Sequence, residues 1–245
     1  MTRIIAGRLA SRRLAPAPTE HIRPTTDRVR ESVFSLFAAR LGAADASPEE
    51  QLAGLAFLDL YAGTGAVGFE AASRGAAPVA WVEKDRPTAA RIDRQRRAFG
   101  LDGHVYTATA AHLLANPPSA SRNTSTNAAD RGFEASVRRG EGGPDEKRLG
   151  EGPTGKDGGT SVDRPTGYDI VWLDPPYDTP NDEVDEVVSA AIRHGWINPG
   201  GWLVIERSRR GEAVRIPEIF TDSWVRRYGD TTVTFARLSG EEECE

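Results

Sequence analysis

The tetrapeptide Asp174-Pro175-Pro176-Tyr177 has residue types and an order well suited to chemistry. It follows the apolar run 168–173, which predicts a buried strand, and the prolines end that strand because proline cannot donate to a sheet ladder. A carboxylate, a constrained turn and an aromatic ring are thus expected at the carboxyl end of a strand, where open α/β sheets bind ligands. The carboxylate and a proline carbonyl can each accept one N–H of a planar amine, and the ring can stack on it. The alternative is an ordinary strand end followed by a proline turn.

A second motif lies in residues 57–68, which predict a strand, a glycine loop and the start of a helix. Gly63, Gly65 and Gly68 have the spacing G-x-G-x-x-G, which lets the backbone turn sharply and approach a ligand closely. Glu83 follows about 20 residues on, at the end of the next predicted strand, where its carboxylate can accept both hydroxyls of a ribose. Taken alone, this pattern also fits a nicotinamide dinucleotide fingerprint.

Two observations argue against a dinucleotide site. Asp59 stands inside the first predicted strand, where a dinucleotide fold usually has an apolar residue. In addition, no residue pattern suggests a hydride-transfer site, whereas the tetrapeptide stands where an acceptor would bind. Two plainer interpretations stay open, in which Asp59 is a solvated strand end and Glu83 faces solvent beside Lys84.

Alternating strands and helices predict the elements that position these motifs. Strands are expected near 56–61, 79–83, 104–108, 168–173 and 201–206, with helices near 66–74, 86–99, 110–115 and 182–194. This alternation predicts a doubly wound, mostly parallel sheet. The stretch 224–238, with Tyr228-Gly229-Asp230 at its centre, predicts an antiparallel hairpin.

The N-terminal residues predict a separate basic extension over residues 1–48, followed by a catalytic domain over 49–245. Residues 3–8 are expected to form one arm of a hairpin. Thr26 or Asp27 is expected to cap a helix that continues to about Arg40.

Residues 117–166 interrupt the alternation because they are rich in Gly, Ser, Asn, Thr, Pro and charge. Such a segment has too little apolar surface to offset the entropy of ordering it. We therefore expect a disordered insertion. Two interpretations of it stay open, an inert insertion and a flexible arm that contacts RNA.

Composition restricts the class of protein. The chain has 245 residues, 38% of them hydrophobic, which is enough for one large α/β domain. The single cysteine, Cys244, cannot form a disulfide or a cysteine-based metal site within the chain, and the four histidines are scattered. No stretch approaches the roughly 20 apolar residues of a membrane span. Prolines follow Arg12-Arg13 where a targeting signal would be apolar. We expect a monomeric cytoplasmic protein with no metal and no membrane partner.

The formal net charge of −5 does not favour a nucleic-acid-binding protein, but the charges are unevenly distributed. Arginines are concentrated in residues 1–40, whereas acids are concentrated in 178–186 and 241–245. A basic N-terminal face can therefore still bind phosphate. The alternative is that these arginines are simply solvated.

Four strings together identify a family. They resemble the bacterial 16S rRNA guanine-N2 methyltransferases of the RsmD type, which are class I S-adenosylmethionine-dependent enzymes. The resemblance covers residues 1–116 and 167–238, and it departs from the family at the insertion and at Thr109, where many class I enzymes have Asp or Asn. The strings are Arg3-Ile4-Ile5-Ala6-Gly7-Arg8, the segment 23–34 beginning Arg23-Pro24-Thr25-Thr26-Asp27-Arg28, the loop Asp59-Leu60-Tyr61-Ala62-Gly63-Thr64-Gly65, and Asp174-Pro175-Pro176-Tyr177.

The resemblance implies a class I, Rossmann-like α/β fold: a mostly parallel sheet with an antiparallel C-terminal hairpin and a small basic N-terminal extension. It implies methyl transfer from S-adenosylmethionine to the exocyclic N2 amine of a guanine in 16S rRNA, on the small ribosomal subunit. The implied catalytic residues are Asp174, Pro175, Pro176 and Tyr177. The implied cofactor-binding residues are Asp59, Tyr61, Gly63, Thr64, Gly65, Glu83, Lys84, Thr109 and Ala110. The implied RNA-binding residues are Arg3, Arg8, Arg12, Arg13, Arg23, Thr25, Arg28 and Arg30.

Three other functions remain open from the residues alone. An amino-methyltransferase that acts on DNA or on a small molecule would share both core motifs. A nicotinamide-dependent dehydrogenase would share only the glycine loop. A non-catalytic RNA-binding protein would keep the basic N-terminus but would not need Asp174 or Tyr177.

Overall fold

The structure is a computed structural model that describes residues 2–16, 27–118 and 167–240. The predicted helices and strands are present in these ranges. Several strand boundaries differ, and the largest differences are that β5 begins four residues before the predicted start and that β6 begins at Phe220. The helices are α1 (Asp27–Arg40), α2 (Ala66–Ser73), α3 (Arg86–Ala98), α4 (Ala110–Ala115) and α5 (Asn181–Arg193). The strands are β1 (Phe57–Asp59), β2 (Val79–Val82), β3 (Gly103–Tyr106), β4 (Tyr168–Leu173), β5 (Ile197–Ser208), β6 (Phe220–Tyr228) and β7 (Thr231–Leu238).

One mixed sheet organises the described residues, with the strand order β3-β2-β1-β4-β5-β7-β6. Strands β1 to β5 are parallel, whereas β7 is antiparallel to both β5 and β6. The carboxyl ends of β1, β2, β4 and β5 therefore meet at one edge of the sheet. Asp59 pairs with Trp172 in β4, so Asp174 follows two residues beyond the position opposite Asp59.

Apolar layers cover both faces of the sheet. One core contains the buried residues of α1 and α2, and the other contains those of α4 and α5. Strand β4 is apolar almost throughout because both of its faces are covered. In α1, the buried residues Val29, Val33 and Phe37 lie on one side of the helix because they are spaced four residues apart.

Helix α1 belongs to the predicted N-terminal extension, yet it shares the core of the sheet. The Phe34 ring lies 6.2 Å from the Phe57 ring and 6.3 Å from the Trp172 ring, measured between centroids. The described part of residues 1–48 is therefore packed together with the strands. A functional boundary at residue 48 stays a prediction.

Residues 2–16 fold back on themselves as the predicted hairpin arm requires. The Ile4 N–H donates to the Arg12 carbonyl at 3.0 Å, and Arg3 and Arg13 form an antiparallel bridge. The buried carboxylate of Glu70, in α2, holds this segment by accepting the N–H groups of Ile5 at 2.7 Å and Ala6 at 3.1 Å. The segment is therefore tied to the helix that follows the glycine loop.

Several predictions fall outside the described residues. They concern Thr26 as a helix cap, residues 119–166 of the predicted insertion, and the C-terminal Cys244 with its acidic neighbours. Within the described ranges, no helix combines the length and the apolar character that crossing a membrane requires.

Helix α2 lies very close to β2, and Gly68 is the residue that permits this. An ideal Cβ at residue 68 would lie 2.2 Å from Trp81 Nε1, and the Trp81 indole is buried. The third glycine of the motif is therefore needed for the packing of the helix on the strand.

We expect Gly68→Ala to lower the free energy of unfolding by about 1–3 kcal/mol, because the added methyl overpacks a closed helix–strand contact. Gly211→Ala is the matched control, since a Cβ there meets only the Ser208 carbonyl oxygen at 3.6 Å. Urea unfolding of both variants measures the effect. Equal stability of the two variants would contradict the assigned role of Gly68.

Candidate active site

A cleft of about 1210 Å³ opens at the carboxyl edge of the sheet. It brings together the two motifs found in the sequence, although more than 100 residues separate them along the chain. All the predicted catalytic residues line it, and so do all the predicted cofactor residues except Gly65. These lining residues are Asp174, Pro175, Pro176 and Tyr177, with Asp59, Tyr61, Gly63, Thr64, Glu83, Lys84, Thr109 and Ala110.

Asp59 is a buried carboxylate at the end of β1, and 1% of the residue is exposed. Its Oδ2 accepts the Gly68 N–H at 3.1 Å, from the first turn of α2. Burial raises the pKa of Asp59 to about 7, and the nearby carboxylates of Asp174 and Glu83 also raise it, while the Gly68 N–H lowers it. A cation bound in this cleft would favour the ionised form.

Glu83 holds the glycine loop from the end of β2. Its Oε2 accepts the Gly63 N–H at 2.9 Å, and its Oε1 accepts the Asp85 N–H at 2.8 Å. A carboxylate has about four lone-pair sites, so each oxygen can accept one further hydrogen bond. The pair of hydroxyls on a ribose is a suitable donor set.

Gly65 is the predicted cofactor residue that does not line the cleft, and its contact with the cofactor stays a prediction. It adopts a left-handed conformation with φ of 77°, and an ideal Cβ there would lie 2.7 Å from the Phe69 ring. Its carbonyl oxygen accepts the Phe69 N–H at 2.8 Å. Gly65 therefore shapes the turn into α2 and faces the protein interior.

Thr109 lines the cleft, but its hydroxyl also has a structural task. The Oγ1 accepts the His112 N–H at 3.2 Å and so caps the start of α4. Ala110 is buried next to it, and Lys84, which also lines the cleft, is exposed. A contact of Thr109 with an adenine amine stays a prediction.

The residues of the tetrapeptide differ in how far they are exposed. Pro175 is buried and Asp174 is half-buried, whereas 46% of Tyr177 is exposed. An exposed aromatic ring beside a carboxylate can accept a planar group by stacking. The positions agree with the expectation from the sequence, and the catalytic roles stay predictions.

Arg207, in β5, holds the turn that contains the tetrapeptide, and the sequence did not single it out. Its guanidinium donates to the Thr179 carbonyl at 2.6 Å and to the Pro176 carbonyl at 3.3 Å. These partners lie 28 and 31 residues away along the chain. No local pattern could have indicated contacts at that separation.

Arg91 has a corresponding role at the glycine loop, and it was also not predicted. Its guanidinium donates to the Gly63 carbonyl at 3.1 Å and to the Ala15 carbonyl. Burial lowers the pKa of Arg91, while the nearby Glu83 carboxylate raises it. The N-terminal segment is thereby linked to the glycine loop of the cleft.

The predicted RNA-binding arginines that the structure describes do not line the cleft. Arg3, Arg8, Arg12, Arg13 and Arg28 are exposed, and Arg3 Nε lies 3.8 Å from the Asp27 carboxylate. Arg23 and Thr25 lie outside the described residues.

Arg30 requires a correction. Its side chain is fully buried, and it donates to the Arg3 carbonyl at 2.7 Å and to Asp27 at 2.9 Å. The structure therefore gives it a role in joining the N-terminal segment to α1, and it is not an exposed ligand for phosphate.

Further acidic residues line the cleft that the sequence did not predict as site residues. Glu206 is buried at the end of β5, and the others belong to the β4–α5 turn and to α5. Within the described ranges, no group of three or more His, Cys, Asp or Glu is placed to hold a metal ion. The four further acidic residues that line the cleft are Asp178, Glu183, Glu186 and Glu206.

Comparison with known proteins assigns the family. The sequence profile of the family described as Conserved hypothetical protein 95 matches residues 2–127 and 156–237. The chain belongs to this family. The unmatched residues 128–155 fall inside the predicted insertion. The resemblance to RsmD-type proteins that the motifs indicated is thereby confirmed.

Two proteins with similar sequences have names that refer to rRNA methylation. The chain is 24% identical over 241 residues to YlbH of Bacillus subtilis, described as a candidate rRNA methyltransferase, and the match covers 97% of this chain and 100% of YlbH. It is 38% identical over 90 residues to ribosomal RNA small subunit methyltransferase D of Escherichia coli, covering 37% of this chain and 40% of that enzyme.

The fold agrees with a solved structure. The structure of yhhF from Escherichia coli superposes with a TM-score of 0.64 at 21% identity, covering 98% of this chain and 99% of that chain. Together with the strand order and the antiparallel β7, this confirms the predicted class I methyltransferase fold.

Because burial raises the pKa of Asp59 to about 7, its ionisation should oppose folding. The contribution to stability is fully present below the unfolded pKa of 3.8 and is lost as the pH rises through about 7. Relative to Asp59→Asn, the wild type should lose up to about 1.4 kcal/mol of unfolding free energy per pH unit across this window.

Urea unfolding of both proteins from pH 5 to pH 8, without ligand, measures this difference. The difference in unfolding free energy should shift in favour of the variant as the pH rises, and should become constant above about pH 7. A difference that does not change with pH would show that Asp59 is not perturbed by burial.

Proposed function

We propose that this chain transfers a methyl group from S-adenosylmethionine to the exocyclic N2 amine of a guanine in 16S rRNA. One observation carries the proposal: Asp174-Pro175-Pro176-Tyr177 and the site formed by Asp59 and Glu83 line the same cleft. A cofactor site and an amine-acceptor site are thus adjacent, as a direct transfer between two bound molecules requires.

The donor set of the cleft fits S-adenosylmethionine. The buried carboxylate of Asp59 suits the cationic methionine end, and Glu83 retains capacity to accept hydrogen bonds from a ribose. Val67, Val82 and Ala110 provide apolar wall for an adenine ring. When bound, the cofactor supplies the methyl group.

The tetrapeptide would position the target base. The Asp174 carboxylate and the Pro175 carbonyl would accept the two hydrogens of the amine, while Tyr177 stacks on the ring. Such a pocket orients the nitrogen lone pair and excludes water, and most of the rate would come from this positioning. The base must leave its stack or lie in an RNA loop, since its amine is otherwise inaccessible.

The choice of rRNA as the substrate is supported by the relatives in the family, among them the Escherichia coli small subunit enzyme. The exposed arginines of the N-terminal segment also suit an RNA partner. A ribosomal substrate would place the protein in the cytoplasm. Asp174 is the residue proposed to be nearest the reacting nitrogen.

We expect Asp174→Ala to lower the rate of methyl transfer about 10²–10³-fold, because the amine loses an oriented acceptor. Asp182→Ala is the control, since Asp182 is exposed in the first turn of α5 and does not line the cleft. Transfer of labelled methyl groups to undermethylated small subunits, free 16S rRNA and duplex DNA measures the effect.

The outcomes separate the candidate functions. Label on a guanine N2 of the rRNA, lost in Asp174→Ala and kept in Asp182→Ala, supports the proposal. Label on DNA alone would overturn the rRNA substrate and keep the amino-methyltransferase class. Binding of a nicotinamide cofactor with no binding of S-adenosylmethionine would indicate a dehydrogenase.

Arg207 should act through the turn that it holds. We expect Arg207→Met to lower kcat about tenfold or more while the Kd for S-adenosylmethionine stays unchanged, because a displaced tetrapeptide misplaces the base. Arg207→Lys should recover part of the rate, since its ammonium can still donate to carbonyl oxygens. A parallel loss of cofactor affinity in Arg207→Met would instead indicate general disruption of the cleft.

A further inference from the structure

Strands β5, β7 and β6 form a C-terminal ribbon. Its exposed end lies beside the turn that contains the tetrapeptide. Arg207 pairs with Thr232 across β5 and β7, and Arg227 pairs with Thr232 across β6 and β7. Residues directly opposite one another in a sheet point to the same face. Arg207 and Arg227 therefore share the face that carries the tetrapeptide turn, two strands or about 10 Å apart.

This part of the fold is rich in exposed arginine. We call it the ribbon rim and define it as Arg209, Arg210 and Arg227, all of which are exposed. The Arg209 N–H donates to the Asp230 carbonyl at 2.8 Å, which places Arg209 at the β6–β7 turn. Thr231, the first residue after that turn, lines the cleft. The ribbon rim is thus part of the border of the cleft.

The ribbon rim is not neutralised by ion pairs in the described part of the chain. There, carboxylates lie within 4 Å of Arg3, Arg30, Arg40, Arg74, Arg96 and Arg97, but not of any rim arginine. A protein with a net charge of −5 that keeps such a cluster beside its cleft has a local surface suited to an anion.

Part of the cleft wall has the reverse charge. Asp178 in the β4–α5 turn and Glu183 and Glu186 in α5 line the cleft. A polyanion at the mouth would therefore be repelled from α5 and attracted to the ribbon rim. Tyr177, proposed to stack on the target base, belongs to the same turn as Asp178.

We infer that the ribbon rim binds backbone phosphates of the RNA strand that carries the target base. The inference rests on the proposed function and adds a second RNA-contacting surface to the N-terminal arginines. Side chains on the ribbon would hold the strand by phosphate contacts, which fix position without reading sequence. The base could then enter the cleft from the basic side.

The test compares RNA binding by two double variants that each remove two exposed arginines. Arg209→Ala with Arg227→Ala removes part of the ribbon rim. Arg94→Ala with Arg193→Ala is the control, because these arginines are exposed on α3 and α5 and do not line the cleft. Filter binding of labelled, protein-free 16S rRNA between about 50 and 200 mM salt gives the affinities.

In the rim variant, the slope of log affinity against log salt concentration should become shallower by about 1–2, as expected for two lost phosphate contacts. The affinity at low salt should fall about tenfold, and the control should match the wild type. Unchanged melting temperature and unchanged S-adenosylmethionine binding show that the variants are folded. Equal slopes for the rim variant and the control would overturn the inference.

Binding and methyl transfer distinguish this inference from the proposed function. If the wild type methylates rRNA but the rim variant binds it as the control does, only the ribbon surface is excluded. If the rim variant loses RNA affinity but the wild type methylates no RNA, the inference about the ribbon rim is supported and the proposed reaction is overturned. If the wild type does not bind rRNA at all, both are overturned.

Discussion

The buried carboxylate of Asp59, at the end of β1, is the constraint on which the rest of the site depends. Burying Asp59 is costly, and the Gly68 N–H at 3.1 Å offsets part of that cost. The N–H groups of the first helical turn have no partner within the helix, so α2 can supply this donor. It can do so only by lying close to β1 and β2, which requires glycine opposite Trp81. The aspartate, the glycine and the indole therefore form one structural unit.

Buried or half-buried arginines then join parts of the chain that lie far apart in sequence. Arg91 connects the glycine loop with Ala15, Arg207 connects β5 with the tetrapeptide turn, and Arg30 connects α1 with Arg3. A guanidinium suits this task because its five donors form a fixed planar fork. Each arginine donates to backbone carbonyls, so the conformation of the main chain around the cleft is held directly. The walls of the cleft thus come from separate segments and still have a defined arrangement.

Negative and positive side chains lie on different surfaces of the protein, which the net charge of the chain does not show. Carboxylates face the interior of the cleft and one of its borders, whereas exposed arginines stand on the ribbon and on the N-terminal segment. Burial raises the pKa of Asp59, the Asp174 and Glu83 carboxylates raise it further, and a cationic ligand would relieve that repulsion. The same molecule can therefore favour a cation inside and a polyanion outside.

The amino-acid sequence by itself determined both motifs, the parallel sheet with its antiparallel hairpin, and the bounds of α2 to α5 to within one residue. These features depend on periodicity, glycine and proline positions and helix caps, all of which are local. Only the tertiary structure decided that Gly65 faces inward, that Arg30 is buried, and that Arg91 and Arg207 hold the two halves of the cleft. The contacts of Arg30, Arg91 and Arg207 with backbone carbonyls join residues 27 to 76 positions apart. Local periodicity carries no information about contacts at such separations, because they are set by how helices and strands pack.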